Sequence, residues 1–304
     1  MKNNNLFSID STYTLRGVSM IAIVLHHIWL LDHFVGGVIL SPAGYLGTGV
    51  FFMLSGYGIF FSMQKHGITK DYVLVKVKKM MLPFLLTWFV LLLTYPIFDY
   101  HFVDMTEMKN LILFALPYSE SWFFRVIICV YFICFIIWSV KIDVRIKIML
   151  IGLACVIYTV SCIFFGINSY WYNTILNFPL GMLFAYKMSS IERIKRTNVT
   201  IISLCSLFLF IFFFVINYRI PCSICFSIFS ICLASFIKFK NNLLFFVGTN
   251  SLMFYFMESP GIRHFSIHIV PCIYILTSLA STFILCYLFV KIERKLNGYF
   301  VLSK

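Results

Sequence analysis

Long apolar runs separated by short charged segments follow one another along most of this chain. An α-helix needs about 20 apolar residues to cross the hydrocarbon core of a bilayer. By that measure the spans expected are 15–31, 45–63, 80–98, 122–140, 147–165, 170–186, 199–217, 221–237, 243–257 and 268–290. The shorter stretch 111–116, ending at Pro117, cannot span and reads as re-entrant or interfacial. The pattern predicts an all-α integral membrane protein, a bundle of about ten transmembrane helices. A single membrane-embedded domain is expected over residues 1–304, with no appended soluble domain.

Charge orients the bundle. With the N-terminus inside, the cytoplasmic segments hold Lys2, Lys65, Lys70, Lys76, Lys78, Lys79, Lys141, Arg145, Lys147, Lys187, Arg193, Lys195 and Arg196. Lys238, Lys240, Lys291, Arg294, Lys295 and Lys304 fall on the same side, and Arg16 sits at the inner end of the first span. Only Lys109, Arg125, Arg219 and Arg263 lie outside, and the longest outer loop is acidic, with Asp99, Asp104, Glu107 and Glu120. This is the positive-inside bias, and an even number of spans returns the C-terminus to the cytoplasm.

Composition agrees. The 304 residues are 61% hydrophobic and 12% charged, with 36 Phe and a mean hydropathy of +0.95. A soluble domain carries roughly 25% charged residues. The net charge of +13 does not indicate a nucleic-acid partner, because the basic residues lie between apolar runs and build no soluble basic domain. They suit an anionic inner leaflet instead. Most of the ten Cys lie inside apolar runs as small hydrophobes. Cys222 and Cys225 form a CxxC with no second pair at metal-binding distance. The first apolar run lacks a small-residue cleavage site and reads as a retained signal anchor.

Ionisable groups inside spans are costly and mark candidate chemistry. Arg16 precedes His27 by eleven positions in the first span. Eleven residues leave a net rotation of about 20°, so both lie on one helix face, about 16 Å apart along the axis. His26 falls about 80° off that face. Arg16 either snorkels to the inner interface or shares a site with His27, which is otherwise a hydrogen-bonded core residue. In the second span, Gly47, Gly49, Gly56 and Gly58 surround Ser55, at a depth that the span boundaries make comparable with His27. The glycines equally suit a helix-packing seam. His264 and His268 are four apart but lack a third ligand, so they read as a polar rim and no metal is expected.

The segment LRGVSMIAIVLHH (15–27) resembles the first-helix signature of the acyltransferase-3 family of integral membrane O-acyltransferases. GVFFMLSGYGIF (49–60) resembles its second-helix FFxxSG signature. Trp122-Phe123-Phe124 with Tyr131, NFPLGMLFAY (177–186), and Gly248, Ser251 and Tyr255 resemble later elements, in the family's order over nearly the whole chain. Three positions depart from the family's pattern. Met80 stands where an Arg is frequent, with the charge shifted to Lys78 and Lys79. Glu258 stands where a His commonly follows the Tyr, and Arg125 where a related subgroup is apolar.

The resemblance implies transfer of an acyl group, usually acetyl from acetyl-CoA, to a hydroxyl of a bacterial surface polysaccharide or its lipid-linked precursor. Such a protein sits in the bacterial cytoplasmic membrane. His27 would then be catalytic, as general base or transient acyl carrier, since imidazole titrates near neutrality. Arg16 would share in catalysis by helping to hold the donor, and Ser55 is a further donor-binding candidate. Lys76, Lys78 and Lys79 are either partners for CoA phosphates or plain topology signals. Trp122, Arg125, Tyr255 and Glu258 are the acceptor-side candidates. Glu258 is expected to pair with Arg263 or Arg125 at the outer mouth, because a buried charge requires a partner. No bound cofactor is expected beyond acetyl-CoA as substrate. Two other readings stay open: a polytopic transporter or flippase for a glycan precursor, and an acyltransferase acting on a small molecule or lipid.

Overall fold

A computed structural model describes residues 8–32, 37–98, 121–190, 196–236, 241–264, 266 and 270–302. The stretch 111–116, the acidic loop residues Asp99, Asp104, Glu107 and Glu120, Lys2, Lys109, Arg193, Lys195, Lys238, Lys240, His268 and Lys304 lie outside the described residues. The described chain is helical: α1 (Ile9–Asp32), α2 (Gly37–His66), α3 (Lys70–Phe98), α4 (Trp122–Ser139) and α5 (Val144–Phe164) come first. A 3₁₀ turn (Ser169–Trp171) precedes α6 (Asn177–Ser190), α7 (Arg196–Val215), α8 (Arg219–Phe236), α9 (Asn242–Thr249), α10 (Ser251–His264) and α11 (Pro271–Leu302).

Polar side chains start several of these helices by taking up free backbone N–H groups. Ser8 Oγ accepts from Ser11 N at 3.0 Å, Thr69 Oγ1 from Tyr72 N at 3.2 Å, Asp143 Oδ1 from Arg145 N at 2.7 Å and Asn241 Oδ1 from Leu244 N at 3.0 Å.

Among the described residues, eight helices are long and apolar enough to cross a membrane: α1–α5, α7, α8 and α11. The chain is a multi-pass membrane protein with an all-α fold. α2 is its central post, since 78% of its most apolar window is buried against 17–39% for the other seven. α1, α6 and α8 pack directly on α2, and α9 and α10 cover the other side of α1. Large apolar side chains of α7, such as Phe208 and Val215, point outward, where only a lipid-like surround suits them.

Two expected spans are built differently. In place of a continuous helix over 170–186, the chain runs irregularly from Phe165 to Leu176, and α6 has only 14 residues, about 21 Å. Unpaired backbone groups cannot face lipid, so such a segment survives only inside protein. Here side chains satisfy it: Ser223 Oγ donates to Asn173 O at 3.1 Å, and Asn177 Nδ2 to Thr174 O at 3.0 Å. Asn177 Nδ2 also reaches Ser223 Oγ at 3.1 Å, tying α6 to α8. The region 243–257 is likewise split, into α9 and α10, at Asn250. The Asn250 side chain donates to Phe246 O at 2.8 Å, occupying a carbonyl at the break.

Glycine permits the closest crossing. A Cβ on Gly56 of α2 would lie 2.0 Å from Phe178 O, and one on Gly181 of α6 would lie 2.0 Å from Met53 O. Each helix backbone thus rests directly on the other, as small residues allow in membranes.

Candidate active site

A cavity of about 890 Å³ opens at the end of the bundle where α1 and α7 finish and α2, α4 and α8 begin. Its walls follow helical periodicity. α1 contributes Met20, Ile23, His27 and Leu30, α2 contributes Ser41, Tyr45, Thr48 and Phe51, and α10 contributes Tyr255, Glu258, Ser259 and Ile262.

At its centre His27 Nδ1 lies 2.7 Å from Glu258 Oε1. Glu258 is nearly enclosed, with 7% of its side chain exposed, whereas His27 keeps 33%. The expected partners of Glu258, Arg263 and Arg125, are therefore replaced by His27. The break at Asn250 frees α10 to pack on α1, and that packing brings the two residues together. A carboxylate accepts hydrogen bonds only, so it holds the proton on Nδ1 and leaves the Nε2 lone pair available. Nε2 has no protein partner among the described residues, and neither has Glu258 Oε2. This is the imidazole–carboxylate arrangement that equips a base for proton abstraction.

His26 lines the same cavity, although its position on the helix face set it apart. Its Nδ1 lies 2.9 Å from Leu40 O, and a Cβ on Gly44 would meet its ring at 2.2 Å. Glycine at 44 thus makes room for the ring to lie against α2. The cavity wraps around the end of α1, wider than a single helix stripe.

Arg16 lies below this cavity on the stripe through Met20, Ile23 and His27. Its Nη2 donates to Leu54 O at 3.3 Å, and its guanidinium sits 5.3 Å from the Phe51 ring centroid and 5.8 Å from that of Tyr13. Phe51 also lines the cavity, so one residue touches both the Arg16 guanidinium and the chamber of His27. The Tyr131 hydroxyl interacts with Ser55 and lies in the field of Arg16. Ser55 is therefore level with Arg16, not with His27. α1 and α2 run antiparallel from a short connection, which sets Gly44 against His26 and Leu54 against Arg16.

Lys76 lies over the Tyr72 ring at 5.5 Å and close enough to Arg16 and Lys79 to feel both charges. Lys78 and Lys79 are exposed. The structure thus gathers Arg16, Ser55 and Lys76 into one region, with Phe51 and Tyr131 from the second-helix and Trp122–Tyr131 motifs, and with Tyr13, which neither charge nor motif singled out.

Of the acceptor-side candidates, Trp122, Tyr255 and Glu258 line the main cavity. Arg125 does not. It lies 5.6 Å from the Trp171 ring centroid and lines a separate cavity of about 160 Å³ between α4 and α5. The face of α4 that carries it, with Cys129, looks toward Tyr158 and Ile175. Sequence reasoning also passed over Tyr45, Tyr170, Asn173 and Arg219 of the main cavity. The CxxC cysteines are buried free thiols, and Cys222 Sγ contacts the Tyr45 hydroxyl at 3.4 Å.

The family model described as "Acyltransferase domain", that of the acyltransferase-3 family, matches residues 9–291. The chain belongs to the acyltransferase-3 family. No curated protein and no solved structure matches it. As an acyltransferase-3 protein it is a membrane acyltransferase, and its chemistry requires an acyl donor and an acceptor within reach of one another in the bilayer. The matched span begins at the first residue of α1 and includes α10, so His27 and Glu258 both belong to the acyltransferase domain.

Proposed function

We propose that this protein transfers acetyl from acetyl-CoA to a hydroxyl of a bacterial surface polysaccharide, or its lipid-linked precursor, at the cytoplasmic membrane. The observation that carries this reading is the 2.7 Å His27–Glu258 contact inside a cavity of about 890 Å³, on the α1 face that also carries Arg16. That volume lies within the roughly 300–1,000 Å³ range of small-molecule sites and leaves room for a sugar beside a thioester.

In this mechanism His27 Nε2 takes the proton of the acceptor hydroxyl as its oxygen attacks the thioester carbonyl. The tetrahedral intermediate collapses, the C–S bond breaks, and the imidazolium returns the proton to the departing thiolate. Glu258 holds the ring and stabilises the imidazolium charge. Arg16 and Lys76, with Ser55, hold the donor from the cytoplasmic side, and Lys78 and Lys79 attract the CoA phosphates. Trp122 and Tyr255 border the acceptor.

Glycan NMR on host cells with and without the protein tests this reading. Loss of O-acetyl signals, restored by the wild-type chain and not by His27→Ala, is the expected result. Unchanged acetylation with lipid-linked intermediates accumulating on the inner leaflet would favour a flippase instead.

A further inference from the structure

The upper part of the main cavity has an electrostatic character that the transfer step does not require. Among the described residues its walls carry two guanidinium groups, Arg219 and Arg263, and one carboxylate, Glu258, whose Oε1 is already engaged by His27. Arg219 is held in place: its Nη1 donates to Ser169 Oγ at 3.3 Å, and its guanidinium lies 6.0 Å from the Tyr45 ring centroid. A guanidinium offers five N–H donors, and Ser169 takes one. Beside it Asn173 lines the cavity, only 2% exposed, with its Oδ1 lacking a partner. Trp122 and Tyr170, 5.9 Å apart, form an aromatic wall.

Topology does not account for these arginines. Basic residues of the chain concentrate at the opposite end of the spans, and the positive-inside bias disfavours them here. Both arginines are exposed at the open end of the cavity, and a basic rim raises the local concentration of anions. We infer that the acceptor bears an anionic oxygen group, a carboxylate or phosphate, which Arg219 and Arg263 bind in the cavity that also holds His27 and Glu258. The flat rings of Trp122 and Tyr170 suit a sugar face. This inference rests on the acceptor-sugar reading above and narrows it to an acidic one.

Purified protein in lipid nanodiscs, titrated calorimetrically with methyl glucuronide, glucose 1-phosphate and neutral methyl glucoside, tests it. At least one acidic probe should bind roughly tenfold or more tightly than methyl glucoside, the scale of a charge-assisted contact. Preference for methyl glucuronide identifies a carboxylated sugar, and preference for glucose 1-phosphate identifies a phosphate. Arg219→Gln with Arg263→Gln should erase the preference, while Arg219→Lys with Arg263→Lys, which keeps the charge, should retain part of it. Equal binding of acidic and neutral probes, no binding of any, or a preference that survives the double Gln variant would overturn the inference. Binding is read without catalysis, so the two failures separate. A chain that binds acidic probes but consumes no acetyl-CoA sinks the acetyl-transfer reading alone.

Discussion

His27 Nδ1 and Glu258 Oε1 are 2.7 Å apart although 231 positions separate the two residues in the chain. The contact joins α1 to α10 and orients the imidazole toward the cavity. A carboxylate behind a histidine does two things: it selects the tautomer and favours the charged ring formed during proton transfer. In the proposed mechanism Glu258 is therefore a positioning residue for His27.

Replacing His27 with Ala should abolish acyl transfer, a loss of at least ~10²-fold in turnover for a general base. The protein should still insert and accumulate, because His27 lines a cavity and supports little core packing. Acetyl-CoA consumption by reconstituted protein, beside immunoblotting of membranes, measures both. Full turnover in H27A would remove His27 from the chemistry.

Glu258→Gln keeps the shape of the side chain and removes its charge. Turnover should fall by roughly 10²-fold or more while the KM for the donor changes little, since the lost interaction strengthens only as the imidazole takes its proton. If KM rose and turnover stayed level, Glu258 would be a binding residue instead.

Arg16→Ala should raise the KM for acetyl-CoA by roughly tenfold, the scale of a charged hydrogen bond. Arg16→Lys should recover part of that loss. Steady-state kinetics against donor concentration distinguish this from a role in folding, which would lower the amount of active protein without changing KM.

Asn177→Leu removes the donor that Thr174 O and Ser223 Oγ share. Thr174 O keeps the bond from the backbone N–H of residue 177 at 3.1 Å, so the change removes two side-chain hydrogen bonds, about 1–3 kcal/mol together, seen as a lower melting temperature in detergent. Gly181→Val forces a side chain against Met53 O, which lies 2.0 Å from the site of its Cβ. It should be destabilising by at least about 1–3 kcal/mol. An unchanged melting temperature for either variant would contradict the packing described.

Much of this protein was legible in one dimension. The apolar runs announce an all-α membrane bundle because lipid forces every spanning backbone to satisfy itself within a helix. Arg16 and His27 share a stripe because helical rotation over eleven residues is nearly a whole number of turns. Local periodicity could not show that 170–186 is part irregular chain, since Ser223 stabilises it from α8, bonding Asn173 O and the Asn177 side chain. Nor could it level Ser55 with Arg16, which depends on how α2 slides along α1. The partner of Glu258 was beyond it too. Any of several outer basic groups satisfied the rule that a buried charge needs a counterpart, and only the docking of α10 on α1 selected His27. What a helix is, and which face it carries, belongs to the sequence because those follow from neighbouring residues. Which faces meet, and so which residues form the site, is decided by packing between distant segments.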